Sequence, residues 1–111
     1  MECIFCKIAK KEIPANIVYE EDDIVAFDDV EPKAPVHVII IPKSHIASVS
    51  ELKPEDKELV GEIFLAVPKI AKIKKVSETG YRIIVNKGKD SGQTINHLHF
   101  HLLGGKKLPF A

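Results

Sequence analysis

Three of the five histidines in this chain stand at alternating positions, His97, His99 and His101. Successive side chains of a β-strand point to opposite faces, so a strand over 97–103 would put all three imidazoles on one face. The apolar residues between them would line the other face. A helix would turn by about 100° per residue and scatter the same imidazoles around its axis. We therefore predict a strand with one imidazole face and one apolar face.

Three imidazoles on one strand face have more than one explanation. Neighbours on the same face lie about 6.6 Å apart, and two of them can share a Zn²⁺ at bond lengths of about 2.1 Å. The outer pair, about 13 Å apart, is poorly placed to join one ion. The residues alone leave open a metal-binding pair, a structural stripe of histidines and a catalytic site.

Charge and length narrow the class of protein. Lys and Arg together number 16, as do Asp and Glu, so the formal net charge is zero. This balance argues against broad binding to nucleic acid or an anionic membrane, although not against a local pocket for one phosphate. With 111 residues, 45% of them hydrophobic, we expect one domain over 1–111. No apolar run approaches the roughly 18 residues of a membrane span, and no signal-peptide pattern is present, so we expect a cytoplasmic protein.

The two cysteines, Cys3 and Cys6, are three residues apart. In a reducing compartment this spacing favours metal binding or thiol redox chemistry over a structural disulfide. The plainer alternative is a pair of small buried thiols.

The hydrophobic pattern predicts an α+β domain. The expected elements are a short helix over 4–11, strands over 16–20, 24–28, 36–41 and 81–86, the histidine strand, and a long helix over 54–74 that is kinked at Pro68. Short connections among the strands favour an antiparallel sheet of about five strands, with the helices on one face.

The segment His-Leu-His-Phe-His-Leu-Leu, followed by Gly104-Gly105, resembles the signature of the histidine triad (HIT) family of nucleotide hydrolases and transferases. Further similarity covers segments 4–5, 12–14, 26–29, 34–37, 41–43, 81–82, 86–88 and 92–93. The chain is most similar to the histidine triad nucleotide-binding proteins, the purine nucleoside phosphoramidases. The resemblance implies a HIT-like fold and a homodimer whose sheet continues from one chain to the other.

The resemblance also implies catalytic roles. His99 would attack the α-phosphorus of an AMP- or GMP-type phosphoramidate and form a nucleotidyl-imidazole, which water then hydrolyses. A neutral imidazole suits this role at pH 7, and no cofactor is required. His101 and the Thr94 hydroxyl would donate to the phosphate or the leaving group, and His37 would orient the nucleophile. The plainer alternative for His37 is a satisfied histidine inside a buried strand.

The other nucleotide contacts implied by the resemblance lie on loops and strand ends. The Asp29 carboxylate would accept hydrogen bonds from the ribose hydroxyls, and the backbone N–H groups of Gly92 and Gln93 would donate to the phosphate. Apolar side chains would form the wall around the purine. The expected binding residues are Phe5, Ile13, Phe27, Asp29, Val30, Asn86, Gly92 and Gln93, beside Thr94, His99 and His101. The plainer alternatives are a solvated loop carboxylate, a turn asparagine and ordinary core for the apolar side chains.

The cysteines gain partners through the same resemblance. Cys3, Cys6, His45 and His97 match the zinc ligands of those family members that carry zinc. Two thiolates and two imidazoles form a closed tetrahedral set, so this zinc would be structural.

Three features depart from the family pattern, namely Asn96 in place of a common aromatic residue, Pro68 within the long helix, and Phe110 where relatives often place a tryptophan. The leaving-group preference is accordingly the least defined property. The alternatives to a phosphoramidase are a dinucleoside polyphosphate hydrolase, a non-catalytic adaptor dimer and a small zinc module. His99 argues against the adaptor, and Gly104-Gly105 favours the phosphoramidase branch.

Overall fold

The computed structural model describes residues 3–109, so the expectation about Phe110 lies outside the described residues. One antiparallel sheet has the strand order β1-β2-β3-β5-β4. Its strands are β1 (Ile17–Glu20), β2 (Ile24–Asp28), β3 (Val36–Pro42), β4 (Tyr81–Val85) and β5 (Phe100–Gly104), and the helices are α1 (Ile4–Ala9) and α2 (Lys57–Ile73). The predicted α+β fold, with five antiparallel strands, one long helix and one short helix, is confirmed.

The sheet separates two apolar layers, because successive side chains of each strand point to opposite faces. The layer on one face contains the buried side of α2, namely Ile63, Ala66, Val67, Ile70 and Ala71. The layer on the other face contains Phe5 and Ile8 of α1 with Val25, Phe27, Ile39 and Ile41. The expectation that both helices share one face is therefore wrong. Strands β2 and β3 are apolar on both sides, so each face needs a cover.

The long helix begins later than predicted, because residues 54–56 form a separate 3₁₀ turn before α2. The helix then runs through Pro68, which lies on its exposed side. Because Pro68 has no N–H, the carbonyl one turn earlier lacks its helical donor, and water on the exposed side can donate to that carbonyl instead. Within residues 3–109, neither helix combines the length and the apolar character needed to cross a membrane.

The regular part of the histidine strand is shorter than predicted, since β5 includes only His101 of the three histidines. Ile40 pairs with Phe100, so continuing this register would set Leu98 opposite Pro42. Proline has no N–H for the ladder, and the pairing ends there. The Leu98 N–H donates instead to a loop carbonyl, that of Ile46, at 2.6 Å.

The predicted alternation nevertheless persists beyond the regular strand. The apolar residues of the segment are buried in the layer that α2 covers, namely Leu98, Phe100 and Leu102. The imidazoles of His97 and His99 lie on the opposite side, each edge-on to Phe5 of α1, and that of His101 lies 5.1 Å from the His99 ring. The segment therefore divides into an apolar face and an imidazole face, as its sequence predicts.

Candidate active site

A cleft of about 890 Å³ lies on the α1 side of the sheet, a size suited to a small-molecule ligand. It brings together almost all residues predicted to bind the nucleotide: Phe5, Ile13, Phe27, Asp29, Val30, Asn86, Gly92, Thr94, His99 and His101. His37 also contributes to its wall. Segments separated by most of the chain thus meet at one place because the strand order sets β5 between β3 and β4.

One end of the cleft has apolar walls. Phe5 and Phe27 meet edge to face with ring centroids 5.5 Å apart, and the Phe5 ring lies 5.1 Å from that of His99. Both phenylalanines are 4% exposed, so they belong to the core and to the cleft wall at once. Val30 is 93% exposed at the cleft, which rules out a core role for it.

The backbone holds the His99 ring in one orientation. Its Nδ1 lies 2.7 Å from the carbonyl oxygen of His97, and only an Nδ1–H can donate to that acceptor. The neutral ring therefore keeps its lone pair on Nε2. The expectation that His37 orients this ring is wrong, because the contact comes from the His97 carbonyl, two residues earlier in the chain.

His37 acts on His101 instead. The Lys33 N–H donates to His37 Nδ1 at 3.0 Å, so the proton of the neutral His37 ring is on Nε2. That Nε2 lies 2.9 Å from His101 Nδ1 and 3.3 Å from Asp29 Oδ2. The shorter contact makes His101 Nδ1 the main acceptor. The proton of His101 is consequently on Nε2, where it can be donated to a ligand.

Burial keeps this histidine pair neutral. It lowers the pKa of His37, although the Asp29 carboxylate opposes the shift. Burial, followed by the neighbouring His99 and His37, lowers the pKa of His101 to about 4. At pH 7 the contact between His37 and Asp29 is therefore a hydrogen bond between a neutral ring and a carboxylate.

The glycine loop does not present its backbone N–H groups as expected. The Gly92 N–H donates to the Lys89 carbonyl at 3.1 Å, and the Gln93 N–H donates to that of Gly88 at 3.2 Å. The Gln93 side chain ties the loop down through Ala47 and the Gly88 N–H. Gly92 lines the cleft and Gln93 does not, so the prediction of two free donors is wrong. The 3₁₀ turn over residues 89–91 uses the Gly92 N–H, and the Gly88 carbonyl that precedes the turn accepts from the Gln93 N–H.

The exposed Thr94 hydroxyl and the partly buried Asn86 amide remain as polar groups beside the imidazoles. Asp29 lies farther along the cleft wall, where its Oδ1 accepts from the Glu31 N–H at 2.8 Å. This bond and the His37 contact fix the carboxylate, so it is not a freely solvated loop residue.

The four predicted metal ligands meet on the same side of the sheet. The thiol and imidazole atoms of Cys3, Cys6, His45 and His97 all lie within 4.8 Å of one another. His97 Nδ1 is 3.3 Å from the Cys3 Sγ and 3.6 Å from that of Cys6. Bond lengths of about 2.3 Å to sulfur and 2.1 Å to nitrogen give a tetrahedral S–N separation of about 3.6 Å.

The His97 ring is already oriented as a ligand requires. Its Nε2 lies 2.8 Å from the Pro42 carbonyl, which only an Nε2–H can approach as a donor. The lone pair of the neutral ring is then on Nδ1, toward the two thiols. Metal-binding histidines usually have such a partner on the other ring nitrogen. The donor set therefore fits a tetrahedral ion such as zinc.

Asp29, His37 and His101 also converge closely enough to hold an ion. The Lys33 N–H, however, keeps the His37 proton on the nitrogen that faces the other two groups. This cluster is therefore built for hydrogen bonding.

Several site groups were not predicted from the sequence. The carbonyls of Pro42 and His97 and the N–H of Lys33 are backbone atoms, which residue types do not reveal. The cleft also includes Arg82 and Ile84 of β4 and Leu103 of β5. Leu103 could have been predicted to line the cleft, because it lies two residues after His101 on the same face of the strand. The place of Arg82 and Ile84 in the cleft depends on the pairing of β4 with β5, which the sequence does not show.

The site defines a protein whose cleft joins an apolar pocket to a neutral imidazole pair, next to a separate Cys₂His₂ ligand cluster. The chain belongs to the HIT domain family, whose model matches residues 10–108. It is 42% identical to the purine nucleoside phosphoramidase of Escherichia coli, over 96% of this chain and 90% of that protein.

Solved structures agree with the family assignment. A histidine triad protein from Clostridium difficile superimposes with a TM-score of 0.95 at 47% identity, covering 100% of this chain and 96% of that one. A HIT family hydrolase from Legionella pneumophila gives a TM-score of 0.95 at 44% identity, covering 98% of this chain and 97% of that one.

Proposed function

We propose that this protein hydrolyses purine nucleoside 5′-phosphoramidates through a covalent nucleotidyl-His99 intermediate. The observation that carries the proposal is the 2.7 Å contact between His99 Nδ1 and the His97 carbonyl, which leaves the Nε2 lone pair for attack. His99 lines the cleft and is 8% exposed, so its nucleophilic nitrogen works where little water competes. The phosphoramidase name of the Escherichia coli relative supports the substrate class.

The reaction has two steps. The Nε2 lone pair forms a bond to the α-phosphorus while the P–N bond breaks, and the departing nitrogen takes up a proton from water and leaves as an amine. Water then attacks the same phosphorus, the imidazole leaves, and the nucleoside monophosphate is released. A covalent intermediate divides one difficult displacement into two easier ones.

The neighbouring groups have separate tasks in this scheme. His101 stays neutral and donates its Nε2–H to a phosphoryl oxygen, and the Thr94 hydroxyl and Asn86 amide add further hydrogen bonds. Asp29 accepts from the ribose hydroxyls. Phe5, Phe27 and Ile13 contact the purine, and Val30 covers its outer face.

The His99→Ala variant tests the proposed function. Hydrolysis of adenosine 5′-phosphoramidate should fall by more than about a thousandfold, since the lone pairs of His37 and His101, the other imidazoles of the described cleft, are already engaged in hydrogen bonds. AMP binding, measured by calorimetry, should persist. Asn96→Ala provides a matched control, because Asn96 is exposed in the same segment and does not line the cleft. Turnover near the wild-type rate in His99→Ala, or faster cleavage of a dinucleoside polyphosphate by the wild type, would refute the proposal.

We also propose that Cys3, Cys6, His45 and His97 hold one structural zinc ion. Bound there, zinc would join the N-terminal segment to the histidine segment without taking part in the reaction, since the protein fills all four positions. Elemental analysis of purified protein should give about one zinc per chain, and His45→Ala should lower this content sharply.

The expected homodimer has support in the exposed surface beside β4. In the sheet formed by residues 3–109, β4 is an edge strand that follows β5 in the strand order, and edge strands are sites where a second chain can add to a sheet. On α2, Phe64 and Leu65 are 50% and 71% exposed. Pairing of two β4 strands, with these apolar side chains buried between two α2 helices, would continue the sheet across the dimer.

A further inference from the structure

We infer that the Cys₂His₂ cluster assembles the purine-binding wall, so that metal binding and recognition of the base are energetically coupled. This inference rests on the proposed nucleotide function and adds a role for α1 to it. The coupling passes through Phe5, which lies between the two cysteines in sequence and between the metal cluster and the nucleophile in space.

Both cysteines lie at the N-terminal end of α1. Cys3 precedes the helix as its N-cap, where its Sγ accepts from the Cys6 N–H at 3.4 Å. Cys6 lies in the first turn, and its Sγ is 3.3 Å from Nδ1 of His45. The other two ligands are far away in sequence, on the loop after β3 and just before β5. A metal ion held by all four would therefore anchor α1 to the sheet.

The same helix forms the wall of the apolar end of the cleft. Phe5 packs edge-on to His97 at 5.9 Å, to His99 at 5.1 Å and to Phe27 at 5.5 Å, measured between ring centroids. Ile4 and Ile8 line the cleft beside it, and Ile13 follows on the next segment. A displacement of α1 would thus remove one side of the purine pocket.

The helix is too short to hold this position by itself. It has six residues, whereas an isolated helix needs about 12–15 to be even marginally stable in water. Its buried side chains are Phe5 and Ile8, and the two cysteines beside them are partly buried. The thiol ligands therefore supply a large share of what positions the wall.

The hydrogen-bonding groups at the phosphate end of the cleft are held by elements other than α1, although the His99 ring packs on Phe5. His37 and His101 hold each other through β3 and β5, and the glycine loop is tied down by Gln93. Metal loss should accordingly weaken contacts to the base while sparing contacts to ribose and phosphate. A general loss of structure would weaken both.

The experiment compares two probes, AMP and ribose 5-phosphate, on zinc-loaded and chelator-stripped wild-type protein, with affinities measured by NMR titration. Stripping should raise the Kd for AMP about tenfold, equivalent to about 1.4 kcal/mol, and change that for ribose 5-phosphate by less than about twofold. Hydrogen exchange at the Lys7 and Lys10 amides, which donate to Cys3 and Cys6 carbonyls, should accelerate at least about tenfold on stripping.

Two variants separate metal loss from other effects. His45→Ala removes an exposed ligand outside α1 and should reproduce the stripped state. Phe5→Leu should weaken AMP binding while zinc content stays at the wild-type level.

Equal AMP affinity and equal amide exchange with and without zinc would overturn the inference, since the apolar cluster would then suffice to hold α1. A parallel loss for both probes, or failure to bind zinc at all, would also overturn it. If the loaded wild type binds neither probe, the proposed nucleotide function itself fails.

Discussion

His37 on β3 and His101 on β5 share a hydrogen bond in which Nε2 of the first lies 2.9 Å from Nδ1 of the second. The Lys33 N–H directs this bond by occupying the other nitrogen of His37. One backbone amide thus decides which nitrogen of His101 presents a proton to the ligand.

The first prediction concerns this pair. His37→Ala should lower kcat/KM for adenosine 5′-phosphoramidate about tenfold, the usual cost of losing a group that orients a site residue. The same change in a His101→Ala background should cost much less, because the hydrogen bond to His101 would already be gone and only the longer 3.3 Å contact with Asp29 would be left to lose. A double-mutant cycle measures this coupling. Additive losses would show that His37 acts independently of His101.

The second prediction concerns pH and stability. Burial first, and then the neighbouring imidazoles, lower the pKa of His101 to about 4, against about 6.5 in an unfolded chain. Between these values the unfolded chain binds a proton that the folded chain does not, so stability is lost as the pH falls through that window. The part of the free energy of unfolding that His101 contributes is fully lost below about pH 4, and it is on the order of 3 kcal/mol at most.

Urea unfolding from pH 7.5 to 4.5 checks that sign. The free energy of unfolding should fall more steeply with acidification in the wild type than in His101→Gln, which has no group to titrate. Contributions common to both proteins cancel, so the difference reports on His101 together with its hydrogen bond to His37. Parallel curves would contradict the expectation.

The third prediction concerns the proposed dimer. Leu65→Glu places a charge on the exposed apolar side of α2 and should convert a two-chain species into a monomer, because an unpaired charge is costly to bury. Light scattering after gel filtration gives the mass directly. Lys72→Glu, an exposed change on the same helix, should leave the mass unaltered. A wild-type monomer would rule out the dimer at the concentrations measured.

The fourth prediction compares two glycines. A Cβ at Gly105, whose φ is +92°, would lie 2.9 Å from the Pro35 Cβ, so Gly105→Ala should destabilise the fold by about 1–3 kcal/mol. Gly61 lies inside α2 with nothing within 4 Å of an added Cβ. Gly61→Ala should therefore stabilise the protein by about 0.5–1 kcal/mol. Urea unfolding measures both, and effects of equal sign would contradict the structural explanation.

Much of the fold followed from local sequence pattern. Apolar patterns of period two and period 3.6 predict the hairpin, the central strand and the long helix to within a few residues, because these patterns reflect which side of each element is buried. The histidine segment was assigned the correct faces but too long a regular strand. Its limit depends on Pro42, which meets it only through the β3–β5 register.

The candidate site shows a similar division. The resemblance to the family indicated which side chains line the cleft and which four converge as metal ligands, and the structure brings both groups together. The resemblance implies a different partner for His37, and free N–H donors in the glycine loop, from those that the structure shows. Those depend on backbone hydrogen bonds, which the identity of a side chain does not specify.

The sequence by itself determined which chemical groups are present and which face of each element carries them, because alternation along a strand is a local property. The tertiary structure alone decided where the protons of His37, His99 and His101 lie, because each ring takes its orientation from a carbonyl, amide or imidazole that folding brings within 3.0 Å. The imidazoles of His97, His99 and His101 are equivalent in the sequence pattern. Their different partners in the folded chain make them a candidate metal ligand, the proposed nucleophile and the proposed hydrogen-bond donor to the ligand.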